Sequence, residues 1–425
     1  MGYAGSAGRF HYISGSVGAR RGFRANWAEG RSGKPAQHGP CEGGGIIYSI
    51  SIAQGCAGHL KRPEGITMKL HLFPYAAILS LAAGAASAGE LTVVSFGGAY
   101  TQSQVEAYHK PWMAKTGHRI LSEDYNGGLA EIKAQVQAGQ VTWDVVDSQA
   151  AEVLLGCDEG LHEEIDPAIL PPAPDGTPAV EDFYEGTISD CAVGTIAWST
   201  VFAYDRERLS PAPATIGDFF DLKKFPGRRG MRKVPKANLE MALVADGVSP
   251  EKVYEVLQTP EGVDRAFAKL DTIKEHVVWW ESGAQPPQLL VDGEVVMSTA
   301  YNGRIFNAAI AEGQSLEVVW DAQVLTVNSW AIVKDTPDME LALNFLAFVS
   351  ASENMAVQAS WISYAPVRRS ASAMIGAYHA DPELDMRPLM PTAPDNIRNA
   401  VWNDKEFWAD RIDELNERFN AWLLK

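Results

Sequence analysis

After position 90 the chain alternates between strand-like and helix-like segments, and this order constrains the possible folds most strongly. Residues 91–96 form a short apolar, β-branched run that ends at a Gly-Gly turn, and 118–125 and 143–147 are two further strand-like runs. Between them, 101–116 carries apolar residues at helical spacing, and a second helical segment ends near Gly139. A strand–helix–strand–helix–strand order predicts a parallel sheet with right-handed crossovers.

The rest of the chain continues as a mixture of strands and helices. The pattern predicts strands at 195–204, 277–280, 294–301, 318–320 and 324–333, and helices at 215–221, 240–245, 250–257, 260–273 and 337–349. A closing amphipathic helix is predicted over 406–424, with large apolar residues on one face. The sequence is therefore α/β throughout, and its length after residue 88 fits two lobes.

Residues 68–88 have the three parts of a secretory signal peptide. Lys69 supplies the positive charge, an apolar stretch follows, and Ala86-Ser87-Ala88 is a small-residue cleavage site. We expect the mature chain to begin at Gly89 and to work in the periplasm. Residues 1–67 are rich in Gly, Ser and Arg without a strand or helix period, which indicates either a start codon assigned too early or a disordered leader.

The chain is strongly acidic, with 53 Asp and Glu against 36 Lys and Arg and a formal net charge of −17. The segment before the predicted cleavage site is basic, so the mature part is more acidic still. This balance argues against nucleic acid or an anionic membrane surface as a partner. It is compatible with a cationic solute, and equally with a requirement for solubility alone.

The four cysteines fall into two groups. Cys41 and Cys56 lie before the signal peptide, which leaves Cys157 and Cys191 as an even pair in a chain expected to be exported. We expect these two to form a disulfide, and the alternative is two buried free thiols. Neither has a His or another Cys at metal-ligand spacing, so no metal or other cofactor is predicted.

The sequence lacks the motifs on which common enzyme classes depend. It contains no G-x-S-x-G, no H-E-x-x-H, no G-x-x-x-x-G-K-[ST], and no G-x-G-x-x-G after a strand. The histidines are scattered, and none is spaced from a Cys or a carboxylate as in a known catalytic or metal-binding motif. No catalytic residue is predicted, and an exported α/β hydrolase is kept as the alternative from another functional class.

Aromatic residues beside Gly, Ser and Asn at predicted strand ends suggest the wall of a small-molecule site. Aromatic faces attract cations and apolar stems, and a few polar groups suffice to orient a small ligand. A Gly-Gly turn before a helix also offers backbone N–H groups and allows close approach. The places of this kind are Gly97-Gly98, Trp198-Ser199, Trp279-Trp280, Tyr301-Asn302-Gly303-Arg304, Asn328-Ser329-Trp330 and Ser363-Tyr364.

Several segments, taken in order, resemble the periplasmic substrate-binding proteins of ABC importers, and the spermidine/putrescine-binding group in particular. The matching segments are 92–100, 125–129, 143–147, 160–161, 294–297, 300–303 and 363–366. The resemblance implies two α/β lobes joined by hinge strands, with a solute trapped in the cleft between them. It also implies no catalysis, a membrane permease as partner, and a monomer.

The resemblance also divides the chain and places the site. It implies a first lobe at 89–200 and 302–370, a second lobe at 201–301, and a C-terminal helical segment at 371–425. The family's binding residues match Phe96, Tyr100, Ser148, Tyr301 and Tyr364 of this sequence. Together with the strand-end candidates, the predicted ligand-binding set is Phe96, Gly97, Gly98, Tyr100, Ser148, Trp280, Tyr301, Arg304, Asn328, Trp330 and Tyr364.

The carboxylates with which polyamine binders hold ammonium groups are largely missing. Asn328 stands where those proteins place an Asp, and the segment 229–240 is basic where they place two acids. Glu240, Glu281 and Asp147 are the available replacements. The main prediction is nevertheless a polyamine-type solute such as putrescine or spermidine.

The alternative within the same class is a small carboxylate or an amino-acid derivative. Under that hypothesis Lys236 and Arg304 face the cleft and pair with an anionic group of the solute.

Overall fold

The computed structural model describes residues 88–425. The predictions for the leader at 1–67 and for the signal peptide at 68–88 lie outside the described residues, apart from Ala88. Within 88–425, no helix combines the length and the apolar character needed to cross a membrane.

The described residues form strands and helices in alternation, much as the periodicity predicts. The strands are β1 (Glu90–Ser95), β2 (Arg119–Asp124), β3 (Val145–Gln149), β4 (Ile188–Ser189), β5 (Ala192–Asp205), β6 (Arg229–Arg232), β7 (Val277–Trp280), β8 (Met297–Tyr301), β9 (Leu316–Ile332), β10 (Ala365–Pro366), β11 (Ala377–Tyr378), β12 (Asp381–Asp385) and β13 (Val401–Trp402). The α-helices are α1 (Gly98–Gln104), α2 (Lys110–Thr116), α3 (Ala130–Ala138), α4 (Ala150–Asp158), α5 (Ala179–Asp182), α6 (Ile216–Phe220), α7 (Asn238–Ala245), α8 (Val253–Leu257), α9 (Pro260–Asp271), α10 (Gln285–Val291), α11 (Asn302–Phe306), α12 (Met339–Val349), α13 (Ser352–Ala359), α14 (Arg369–Ala373) and α15 (Lys405–Leu423). Short 3-10 turns lie at Pro167–Ile169, Pro250–Lys252, Lys274–His276, Arg387–Leu389 and Ile397–Asn399, and π-helical turns at Val105–His109 and Asn307–Ala311.

The principal sheet has the strand order β2-β1-β3-β9-β5-β8-β6-β7. β1 pairs in parallel with β2 and with β3, as the strand–helix–strand order predicts. At the other end of the sheet, β6 pairs in parallel with β7 and β8. The α/β fold is confirmed, and two parallel groups of strands flank a central antiparallel pair.

The central pair, β5 and β9, runs across both halves of the sheet. The sequence predicts two strands at 318–320 and 324–333, but the structure has the single strand β9, which follows β5 almost throughout. Ala322 adopts a positive φ of 56°, and the pairing register shifts between Thr200 and Phe202. A local irregularity of this kind bends a strand without ending it, which explains the interrupted pattern in the sequence.

Apolar side chains collect in two large clusters on either side of this pair. One includes Leu91, Val193 and Ile332, and the other includes Phe202, Val319 and Met241. Both β5 and β9 therefore contribute to both clusters. The closing helix α15 packs into the second cluster, with Trp408 and Phe419 fully buried, and this confirms its predicted apolar face.

Cys157 in α4 and Cys191, directly before β5, form a disulfide. Their Cα atoms lie 5.9 Å apart, within the range that a disulfide can join. The predicted bond is therefore confirmed, and it fixes the end of α4 to the start of a central strand.

Candidate ligand-binding site

A cavity opens at the strand ends where the two parallel groups of strands meet the central pair. Its volume is about 470 Å³ when the space open to solvent at its mouth is counted. Ligands in open α/β sheets bind at such carboxyl ends of strands. The lining residues are Phe96, Tyr100, Asn126, Gln149, Ile196, Trp198, Arg232, Glu281, Gly283, Tyr301, Arg304, Asn328 and Tyr364.

Aromatic rings form most of the wall. Tyr100 and Tyr364 meet edge to face, with ring centroids 5.2 Å apart, and Phe96 lies 6.5 Å from Tyr100. On the opposite side Tyr301 packs edge to face against Trp198 at 4.8 Å. Edge-to-face packing holds each ring in place and leaves ring faces free to contact a ligand.

Arg304 is a buried cation in this wall, with only 7% of its surface exposed. Its Nη2 donates to the carbonyl of Phe96 at 3.0 Å, and its Nε is buried without a hydrogen-bond partner among residues 88–425. Gly98 has a positive φ of 58°, and a Cβ at this position would collide with Arg304 Nη1. The Gly-Gly turn therefore makes room for the guanidinium, although neither glycine lines the cavity.

The start of α11 is anchored so that Tyr301 and Arg304 point into the same space. Asn302 accepts a hydrogen bond from the backbone N–H of Ser199 at 2.9 Å and donates to the carbonyl of Ser363 at 2.5 Å. Gly283 leaves room for the Tyr301 ring, because a Cβ there would lie 2.6 Å from Tyr301 Cε2.

A polar network supports the cavity from beneath. Asn328 accepts from Trp198 Nε1 at 2.6 Å and donates to Asp147 at 2.8 Å. Asp147 also accepts from Tyr100 Oη and from Gln104 Nε2. Burial raises the pKa of Asp147 to about 7, although the hydrogen bonds from Tyr100, Asn328 and Gln104 act in the opposite direction.

Two further cations, both more exposed than Arg304, lie beside this wall. Arg232, at the end of β6, stands with its guanidinium carbon 5.9 Å from the Tyr301 ring centroid. Lys236 is half-buried and donates to Gln149 Oε1 at 2.8 Å, and desolvation lowers its pKa to about 8. Lys236 lines a second, adjoining cavity together with Trp280.

The carboxylates predicted as polyamine ligands occupy different places. Glu281 lines the cavity, but its side chain is 74% exposed and pairs with Lys233 at 3.1 Å. Glu240 accepts hydrogen bonds from Tyr254 and Trp408 under α15, away from the cavity-lining set. Asp147 lies behind Tyr100 and Asn328 rather than at the cavity surface.

The structure brings a majority of the predicted site residues together. The predicted residues that line the cavity are Phe96, Tyr100, Tyr301, Arg304, Asn328 and Tyr364. Trp280 is 1% exposed and lines the adjoining cavity instead.

Trp330 and Ser148 lie elsewhere, and like Gly97 and Gly98 they line neither cavity, which corrects the prediction for these residues. Trp330 packs in the core between Tyr108 and Phe345, because its position on β9 turns its side chain towards that cluster. Ser148 is fully buried and bonds to Tyr125 and Glu152, so it supports the wall without lining it.

Some lining residues were absent from the predicted set. Gln149 lies two residues after the predicted third strand, Asn126 begins a Gly-rich turn, and Arg232 lies in the basic segment. Gln149 and Asn126 could have been found from their position at strand ends, where polar side chains converge in this type of sheet. Trp198 was recognised as a strand-end aromatic, and Ile196 gives no sequence signal that separates it from the core.

A two-part α/β sheet with an aromatic cavity at its strand ends defines a class of solute-binding proteins. The chain belongs to the family described as bacterial extracellular solute-binding protein, whose pattern matches residues 104–391. It is 46% identical to the gamma-aminobutyric acid-binding protein of Pseudomonas aeruginosa over 358 residues, which are 84% of this chain and 97% of that protein.

Solved structures agree with this assignment. The binding protein MotA of A. tumefaciens B6, solved in complex with glucopine, matches with a TM-score of 0.71 at 30% identity and covers 79% of this chain and 99% of its own. The Atu4243-GABA receptor matches with a TM-score of 0.67 at 30% identity, with coverage of 79% and 98%. Proteins of this family bind small solutes for ABC transporters, and these relatives are not enzymes.

The comparisons do not support the polyamine prediction. A spermidine/putrescine-binding protein from Streptococcus pneumoniae shares only 14% identity at a TM-score of 0.59, which shows a common fold alone. Two more similar relatives, at 46% and 30% identity, are named for γ-aminobutyric acid instead. The alternative prediction, a solute with a carboxylate, fits these relatives better.

Proposed function

We propose that this protein captures a zwitterionic ω-amino carboxylate of the γ-aminobutyrate (GABA) type and presents it to the permease of an ABC importer. The observation that carries the proposal is Arg304, a buried cation with a free Nε in an aromatic cavity. A guanidinium in this setting suits a carboxylate, with which it forms charge-assisted hydrogen bonds. The 46% identity to a GABA-binding protein supports the same solute.

The remaining surfaces of the cavity suit the ammonium end and the methylene stem. The ring faces of Phe96, Tyr100 and Tyr364 offer apolar contact and cation–π attraction. Glu281 adds a carboxylate at the mouth. A zwitterion therefore meets a cation and an aromatic surface within one small cavity.

The same residues should bind a polyamine more weakly. It carries positive charge at both ends, and the wall contains the buried Arg304 and the half-buried Arg232, which are also positive. Asn328 cannot supply a charge, and its amide is already committed to Trp198 and Asp147. Burial of an unpaired like charge is costly, so putrescine is disfavoured.

Binding would proceed by closure of two lobes, the first at 89–200 and 302–370 and the second at 201–301, with β5 and β9 as the hinge. The solute then shifts the population towards the closed form, which the permease recognises. We further propose that the protein works in the periplasm after cleavage before Gly89. N-terminal sequencing of protein from that compartment tests this, and retention of residues 1–67 would contradict it.

Arg304→Ala tests the proposed role of the guanidinium. Loss of a charge-assisted hydrogen bond of about 1.5–3 kcal/mol should weaken GABA binding by roughly tenfold or more in isothermal titration calorimetry. Arg265→Ala is the matched control, because Arg265 pairs with Asp246 at the surface and lies outside the cavity-lining set. Unchanged affinity in Arg304→Ala would contradict the proposed carboxylate site.

A further inference from the structure

A second cavity adjoins the first and is built differently from it. The two share the walls formed by Gln149, Trp198, Arg232 and Tyr301. The second cavity has a volume of about 350 Å³ when space open to solvent is counted, and its polar lining also includes Thr200, Lys236, Asn238, Trp280 and Thr326. We call it the inner compartment, defined by Arg232, Lys236 and Trp280.

Some of the polar atoms that line the inner compartment are buried hydrogen-bond donors without an acceptor among residues 88–425. Arg232 Nε and Trp280 Nε1 are both buried, and neither has a hydrogen-bond partner within the described part of the chain. Lys236 uses a single hydrogen bond, to Gln149 Oε1, although an ammonium group can donate three. Buried donors without acceptors are destabilising unless a bound group completes them.

No carboxylate of residues 88–425 forms an ion pair with Arg232 or Lys236. Glu152 and Glu240 are the acids that act electrostatically on Lys236, yet neither comes within ion-pair distance. Glu240 directs one oxygen to Tyr254 and Trp408 instead. Two half-buried cations therefore face a shared space whose lining residues include no Asp or Glu.

The loop that carries these cations is held in a fixed shape. Asn238 donates to the carbonyls of Arg232 and Val234, both at 2.7 Å, which ties the loop back to the start of α7. Ala237 has a positive φ of 67°, a backbone conformation that a residue with a side chain rarely adopts. The loop thus places Arg232 and Lys236 on one side of the compartment before any ligand arrives.

We propose that the inner compartment is a second anion subsite, so that the protein also accepts amino acids with an additional acidic group beyond the carboxylate held by Arg304. The inference rests on the proposed function, because it places this second group on the same solute. The solute class is then amino dicarboxylates and related acidic conjugates, in addition to simple ω-amino carboxylates.

Two ligands that differ by one carboxylate test the subsite. L-glutamate is GABA with a carboxylate added at the carbon that bears the amino group, and 2-aminoadipate is one methylene longer. In calorimetry the unmodified protein should bind at least one of the two diacids as well as GABA. Lys236→Met should weaken that diacid by tenfold or more and GABA by less than threefold, whereas Arg304→Ala should weaken both.

The pH dependence provides a second readout. Desolvation and the charge of Arg232 lower the pKa of Lys236 to about 8, although Glu152 and Glu240 act in the opposite direction. Diacid affinity should therefore fall as the pH rises through 8, while GABA affinity changes little. Arg232→Gln, which keeps a donor but removes the charge, serves as a second variant if Lys236→Met melts at a lower temperature. In this variant too, the affinity for the diacid should fall more than the affinity for GABA.

The possible failures are distinct. If GABA binds but neither diacid does, or if Lys236→Met weakens GABA and the diacid equally, the second subsite is wrong and the proposed function stands. If neither GABA nor the diacids bind, the proposed function itself is wrong.

Discussion

Asp147 shows how a single residue beneath the cavity can affect the whole protein. It is fully buried, accepts hydrogen bonds from Tyr100, Gln104 and Asn328, and forms no ion pair within residues 88–425. Burial raises its pKa from 3.8 to about 7. Its charge state therefore changes near neutral pH, at a position that supports Tyr100 and Asn328 in the cavity wall.

The raised pKa of Asp147 has a defined effect on stability. Between about pH 4 and pH 7 the folded state binds more protons at Asp147 than the unfolded state, so its contribution to stability is lost as the pH rises. In urea unfolding, the free energy of unfolding of the unmodified protein should fall between pH 5 and pH 8 by roughly 2 kcal/mol more than that of Asp147→Asn. Burial lowers the pKa values of His109 and His162 to about 4, so their contribution to stability rises with pH. This contribution is the same in the unmodified protein and in Asp147→Asn, and it cancels in the comparison.

Asp395→Asn is the control for this comparison, because the Asp395 side chain is 84% exposed. Its pH dependence should follow that of the unmodified protein. Parallel stability curves for Asp147→Asn and the unmodified protein would contradict the raised pKa.

Secondary structure was predictable from the sequence because periodicity and turn residues are local signals. The strands at 277–280 and the helix at 406–424 illustrate this, since their observed bounds differ by at most one residue. The strand β9 was predicted as two because the bend at Ala322 depends on its pairing with β5. Non-local pairing is not visible in a local pattern.

The site was only partly predictable, for a related reason. Phe96 and Tyr301 follow from their position at strand ends. Trp330 has the same kind of sequence neighbourhood, yet the face of β9 on which it lies turns it into the core. The pairing of Lys236 with Gln149 joins residues far apart in the sequence, and only the fold reveals it.

The disulfide between α4 and β5 provides a prediction at the scale of elements. The bond closes a loop with a sequence separation of 34, and removing such a bond costs about 3–4 kcal/mol in the chain-entropy description. Replacing Cys157 and Cys191 with Ser should lower the unfolding free energy by that amount and leave GABA affinity within threefold. Dithiothreitol should destabilise the unmodified protein and not the double variant; equal stability of the two proteins without reductant would contradict this account.

At the scale of the whole molecule, the central strands connect the cavity to both cores. β5 and β9 contribute Trp198 and Asn328 to the cavity, and both strands extend into the two large apolar clusters. A solute that contacts both sides of the cavity would therefore stabilise the closed arrangement of the two clusters. At 100 times its Kd, such a solute should stabilise the folded protein by about 2.7 kcal/mol.

The central claim is that the cavity selects a zwitterion with a carboxylate over a diamine. The most direct measurement is isothermal titration calorimetry of the same protein with GABA and with putrescine, which have the same four-carbon chain and differ in one charged end. The account predicts that one GABA binds per chain and that putrescine binds at least tenfold more weakly, because Arg304 and Arg232 offer it no counter-charge. Putrescine binding as tight as GABA binding, or tighter, would contradict it.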